Sequence, residues 1–153
     1  MKKIFLFLSI SVLTYNIISC SKDDNAAVES SKGTLKCDID GVTKTFSNIQ
    51  TVNSGTETII TASNGTSAPT EQITFAVEPD KIGTSEVLNL GFTYLTNNKV
   101  FSADESTFNF DITLTENNSS SKSLKGSFSG DFNDLTGEAA GKKITNGKFE
   151  IKL

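Results

Sequence analysis

From Gly33 onward the chain is built of short runs in which apolar residues fall at every second position, separated by clusters of Gly, Asn, Ser and Asp. A period of two places alternate side chains on opposite faces of a strand, and no stretch carries the 3.6-residue period of a helix. Residues 107–116 are the clearest case. Phe108, Phe110, Ile112 and Leu114 share one face, and Asn109, Asp111, Thr113 and Thr115 share the other. Burying that apolar face contributes roughly 1.5–3 kcal/mol for each side chain fully removed from water. Residues 71–78 repeat the pattern, with Ile73, Phe75 and Val77 opposite Gln72, Thr74 and Ala76, and Pro79-Asp80 stops the strand.

The punctuation between runs carries its own geometry. Asp40-Gly41 separates Thr34-Leu-Lys-Cys-Asp-Ile39 from residues 42–46 and supplies the positive φ of a two-residue hairpin. A second hairpin is expected around Asn53-Ser54-Gly55, with residues 57–63 returning, and Asn97-Asn98-Lys99 turns the chain again. Residues 86–96 are more continuously apolar, which predicts a strand covered on both faces or partly buried by a partner. In residues 124–132, Leu124, Gly126, Phe128, Gly130 and Phe132 share a face, so that absent side chains alternate with rings and the sheet can bend or take rings from a facing strand. Asn146-Gly147 is either a hairpin turn or a glycine bulge before the alternating Phe149, Ile151 and Leu153. These elements predict an all-β domain: an antiparallel β-sandwich or flattened β-barrel of about eight to ten strands.

The first twenty residues follow a different logic. Lys2 and Lys3 precede the apolar stretch from Ile4 to Leu13, too short to span a bilayer comfortably and suited to the core of an export signal. The run Ile17-Ile18-Ser19-Cys20 has the residue order of a lipobox, which makes Cys20 the lipidated first residue of the mature chain. The expected organisation is a cleaved lipoprotein signal peptide over residues 1–19, a flexible tether over 20–32 without apolar period, and a single β domain over 33–153.

Composition then removes function classes. With no His, the chain has no imidazole for general-base chemistry near neutrality and no nitrogen ligand for zinc or haem. Without Trp it lacks a broad stacking platform for sugars. The mature chain carries 12 Lys, no Arg and 18 acids, a net charge of about −6. Such a surface repels a nucleic-acid backbone, so no nucleic-acid partner is expected. If Cys20 is consumed by lipid, Cys37 has no intramolecular partner. It lies in phase with Leu35 and Ile39 and reads as a small buried hydrophobe.

The strings Leu124-Lys-Gly-Ser-Phe-Ser-Gly-Asp-Phe132 and Gly141-Lys-Lys-Ile-Thr-Asn-Gly-Lys-Phe-Glu-Ile-Lys-Leu153, with the opening hairpin Cys37-Asp-Ile-Asp-Gly-Val-Thr-Lys-Thr-Phe46, resemble small lipoprotein domains of unknown function abundant in Bacteroidetes, especially Flavobacteria. The resemblance implies a compact β domain on a lipid anchor and brings no catalytic residues. Cys20-Ser-Lys-Asp-Asp-Asn25 is similar to the acidic signal that sends lipoproteins of those bacteria to the cell surface, with Asp23 and Asp24 as its acids.

Three other features are candidate sites. Asp131, Asn133, Asp134 and Glu138 are closely spaced oxygen ligands that a weak calcium loop would need, although Thr136 stands where a sharp-turning Gly is wanted. Asp38 and Asp40 flank Ile39 and form a carboxylate pair that acid-base chemistry would need. The nine phenylalanines of the mature chain either pack a core or line an apolar pocket. The reading that results is a non-enzymatic, lipid-anchored binding or accessory protein of the outer membrane, facing the cell surface or the periplasm. It needs no cofactor, and its partner is an envelope protein or an external ligand. The alternatives are a carrier of a small apolar ligand inside a Phe-lined barrel, and an inhibitor or immunity lipoprotein that inserts a loop such as residues 64–70.

Overall fold

A computed structural model of the chain describes residues 28–66, 68–85, 91–103, 110–137 and 139–153. Among them there is no helix. Eleven strands follow in order: β1 (Val28–Ile39), β2 (Val42–Phe46), β3 (Asn48–Asn53), β4 (Thr58–Ser63), β5 (Glu71–Val77), β6 (Gly83–Ser85), β7 (Phe92–Thr96), β8 (Lys99–Ala103), β9 (Phe110–Asn118), β10 (Ser123–Asp134) and β11 (Lys142–Lys152). Every pairing is antiparallel. The all-β expectation holds, with the very short β6 among the strands that alternation alone does not mark.

Two sheets share two strands. Val28–Ser31 of β1 pair with β3, and the rest of β1 pairs with β2 and β11. Likewise most of β10 lies between β9 and β11, while Asn133 and Asp134 pair with β8. The path β11-β1-β3-β4-β5-β7-β8-β10 therefore closes on itself through the β10–β11 pairing. It is a ring rather than a regular barrel, because β2, β9 and β6 hang off that path.

β1 begins five residues before Gly33, which corrects the expected tether boundary. Val28–Ser31 lie against Val52, Thr51, Gln50 and Ile49, and the Ser31 and Thr51 hydroxyls share a buried hydrogen bond of 2.9 Å. This segment is held by backbone pairing and one polar contact, so it shows no apolar period. Residues 20–27, with Cys20, Asp23 and Asp24, lie outside the described residues, as do Val87, Leu88, Leu90 and Phe108.

The interior is a stack of rings contributed by both sheets. Phe92 lies 5.0 Å from Phe75, nearly parallel to it, and 4.7 and 4.8 Å from Phe110 and Phe128. Cys37 is buried between Leu35 and Ile39 as their phase requires. Gly126 stands opposite Phe149, and Gly147 opposite Phe128. A Cβ on Gly126 would come within 2.5 Å of the Phe149 ring, and one on Gly147 within 2.6 Å of the Phe128 ring. The rings thus occupy the room that the glycines leave.

Two departures from simple alternation have local causes. Asn146-Gly147 is a bulge inside β11, with Asn146 at φ 54°, and it shifts the register against both β1 and β10. A second bulge at Thr115 shifts β9 against β10, so that Asn117 turns inward. Its amide donates to the carbonyls of Glu78 (2.7 Å) and Lys81 (3.0 Å), fastening the link from β5 to β6. Residues 92–96 are covered fully on one face only: Phe92 and Tyr94 are buried, whereas Thr93 and Leu95 are half-exposed, with no third layer over them among the described residues.

The registers also give the domain two distinct ends. Val28, residues 54–57, residues 119–122 and Leu153 gather at one. The Asp40-Gly41 and Asn97-Asn98 turns, residues 64–66 and 68–70, and residues 135–137 and 139–141 gather at the other.

Candidate functional site at the mouth of the ring

At the end away from Val28 the two sheets part and leave a cleft of about 480 Å³. Its walls come from separate parts of the chain. The β1–β2 hairpin supplies Ile39, Asp40, Val42 and Lys44; β5, β7 and β8 supply Glu71, Tyr94, Thr96, Lys99 and Phe101; Ala139, Ala140 and Lys142 close the third side. Among the described residues β2 pairs with β1 alone, and its Val42 and Lys44 border this opening. Mouths of β-barrels are common ligand sites because the converging strands hold the lining side chains while the end remains open.

One ion pair spans the gap between the sheets. Lys44 Nζ lies 2.9 Å from Glu71 Oε1, which also accepts a 2.6 Å hydrogen bond from the Tyr94 hydroxyl. The Asn64 amide donates to the other Glu71 oxygen at 3.3 Å. Burial alone pushes the Glu71 carboxyl up, but Tyr94, Lys44 and Asn64 together outweigh it and hold the group below its ordinary value. Near this cluster, burial and the Asp38 and Glu71 charges push the Cys37 thiol up to about 12, leaving it protonated and inert. Tyr94 is raised as well, first by burial and then by its bond to Glu71.

A second latch crosses the rim. Lys142 Nζ lies 2.7 Å from Asp40 Oδ2 and 5.8 Å from the centre of the Phe101 ring. The Lys143 amide donates to Asp40 Oδ1 at 3.0 Å, and Asp40, at φ 50°, is turned toward both donors. Lys99, exposed on the lip, forms no ion pair with a described residue. Among the described lining residues three ammonium groups therefore face two carboxylates, an excess of positive charge in an acidic protein.

The structure separates several residues that sequence spacing grouped. Asp38 lies outside the cleft, where it accepts hydrogen bonds from Thr43 (2.6 Å) and from Asn146 (2.8 Å), while Asp40 belongs to the rim. The carboxyl of Asp38 is held below its usual range by Asn146 and Thr43, and that of Asp40 by Lys142 and the Lys143 amide. Neither has the raised value that a general acid near neutrality uses. In the acidic loop, Asp134 points inward and is occupied by its own turn: the Thr136 hydroxyl donates at 2.8 Å and the Ala139 amide at 2.7 Å, both to Oδ2. Asp131 and Asn133 sit in the opposite phase of β10, and Glu138 lies outside the described residues. No three metal-ligating side chains converge among the described residues. Residues 64–70 are stitched at their base, where the Asn64 amide donates to Thr70 Oγ1 at 3.0 Å.

Lys44, Glu71, Lys99 and Lys142 were not singled out from the sequence, although three of them had a signal. Lys44 is in phase with Phe46, Glu71 with Ile73 and Phe75, and Lys99 with Phe101: each is a charge at an inward position at the same end of its strand. Neither a family model, nor a curated protein, nor a solved structure matches the chain.

Proposed function

We propose that the chain is a lipid-anchored, non-catalytic binding protein of the outer membrane that takes a small amphipathic organic anion into the mouth of its ring. The mixed lining of that cleft carries the reading. Phe101, Ile39 and Val42 offer apolar contact, and Lys99 offers an ammonium without a partner among the described residues. The cleft volume falls in the range of small-molecule sites. Among the described residues the interior rings stack on one another, so the mouth is favoured over an internal apolar carrier site. The lipoprotein resemblance and the lipobox order at Cys20 support anchoring, and Asp23 and Asp24 support export to the cell surface. Replacement of Cys20 by Ala should move the chain from the membrane fraction to the soluble fraction of fractionated cells; retention in the membrane would refute the anchor.

The site itself is tested with a pair of fluorescent probes, the anion 8-anilinonaphthalene-1-sulfonate and the neutral N-phenyl-1-naphthylamine. The expected result is saturable binding of the anion, with amide shifts at Ile39, Tyr94 and Phe101 by NMR. Lys99→Gln should weaken it about fivefold, the worth of one exposed charged contact, and Lys122→Gln at the other end should leave it unchanged. Equal binding of both probes would remove the anion preference and keep the site. Binding of neither would remove the site.

A further inference from the structure

The outer face of the sheet centred on β1 and β11 has an arrangement of charge that folding alone does not favour. Register places Lys32 opposite Lys152 and Lys36 opposite Lys148, two like-charged pairs on the same two strands. Like charges directly opposite one another across an antiparallel pair are destabilising. The neighbouring acids relieve them only in part, Glu116 also feeling the charge of Lys152. Glu116 and Glu150 are both engaged by Lys125, at 3.2 and 3.1 Å, and Asp38 accepts from Thr43 and Asn146. Lys32, Lys36, Lys148 and Lys152 are all exposed, and none forms an ion pair with a described residue.

We infer that this face docks on an anionic lipid surface, its lysines reaching headgroup phosphates. The inference is independent of the mouth and rests on the anchor at Cys20. Seven residues lie between Cys20 and Val28 and span at most about 25 Å, against roughly 40 Å for a strand of β1's length. The tether therefore holds the start of β1, and Lys32 with it, close to the bilayer that carries the lipid. A row of long, flexible ammonium side chains can reach an array of phosphates. A polysaccharide would call for a ring platform, and the described aromatic side chains are directed into the core, with no Trp in the chain. Acids on other faces weaken the attraction little at physiological salt, where charges more than about 8–10 Å apart are screened.

The test uses the mature chain, residues 20–153, with Cys20→Ser so that no acyl group contributes, in sedimentation with vesicles of phosphatidylcholine alone or mixed equally with phosphatidylglycerol. Binding is expected to the mixed vesicles only, and to fall as salt rises. Each lysine near such a surface contributes about fivefold in partitioning, so Lys36→Gln with Lys148→Gln should reduce it by about twentyfold or more. Lys142→Gln with Lys143→Gln should not. The Lys36/Lys148 variant should also be at least as stable to urea as the parent, because a repulsive pair has gone, so its loss of binding is not a loss of fold. Equal binding to both kinds of vesicle, or binding that survives the double substitution, would overturn the inference. Preferential capture by soluble alginate, displacing the vesicles, would assign the face to a polyanion instead.

Discussion

Replacing Phe92 with Ala should lower the free energy of unfolding by about 3–5 kcal/mol, read as a fall in the urea midpoint. Phe92 stands where the two sheets meet. It stacks on Phe75 within its own sheet at an interplanar angle of 7°, and touches Phe110, Phe128 and Phe132 from the other, the last at 5.6 Å. Removing the ring leaves a void lined by four others, each tied to its own strand and unable to collapse far into the gap. Single domains are typically stable by about 5–15 kcal/mol, so a loss of this size would leave a marginal protein. Phe92→Leu should cost much less, since it keeps most of the volume. A loss below about 1 kcal/mol for the alanine variant would mean a loosely filled interior, and would return weight to the carrier reading.

The second large effect is expected at Gly33, where β1 passes from one sheet to the other. Its φ of 152° lies in a region that residues with a side chain rarely adopt. A Cβ there would stand 2.8 Å from Ile151 Cα and closer still to the Glu150 carbonyl oxygen. Those are backbone atoms of β11, which cannot rotate aside as a side chain would. Gly33→Ala should therefore destabilise by about 3 kcal/mol or more, combining backbone strain with a forced separation of β1 from β11. Gly41→Ala is the internal comparison. Gly41 also has positive φ, at 80°, but a Cβ there would meet nothing within 4 Å. Its cost should be about 1 kcal/mol, the conformational share alone. Equal losses at the two positions by urea denaturation would show that the close approach at Gly33 does not matter.

Alternation and turn chemistry were legible wherever a strand buries one face and ends in a residue with special φ. Residues 71–77, the Asp40-Gly41 hairpin and the Asn97-Asn98 turn are such places. The first four residues of β1 were not legible, because Val28–Ser31 join the sheet through their backbone and a shared hydroxyl rather than through apolar side chains. The inward turn of Asn117 was also hidden, since one bulge reverses every side chain beyond it. The mouth depends on closure of the ring, which no single segment encodes. What the sequence did contain was the out-of-character charge at the inward position of three strands, Lys44, Glu71 and Lys99. The lysine face was less accessible still. Lys36 and Lys148 become neighbours only once the register of β1 on β11 is known.

That pairing of β1 with β11 also governs when the molecule can fold. Lys32 to Ile39 find their partners between Ile144 and Lys152, so the strand made first waits for the strand made last. The sheet that holds β11, and the closure of the ring, cannot be completed until that segment is free, and contacts so distant along the chain make folding slow. The ring therefore closes only once β11 is free to pair with both β1 and β10, which makes its closure a late event in folding.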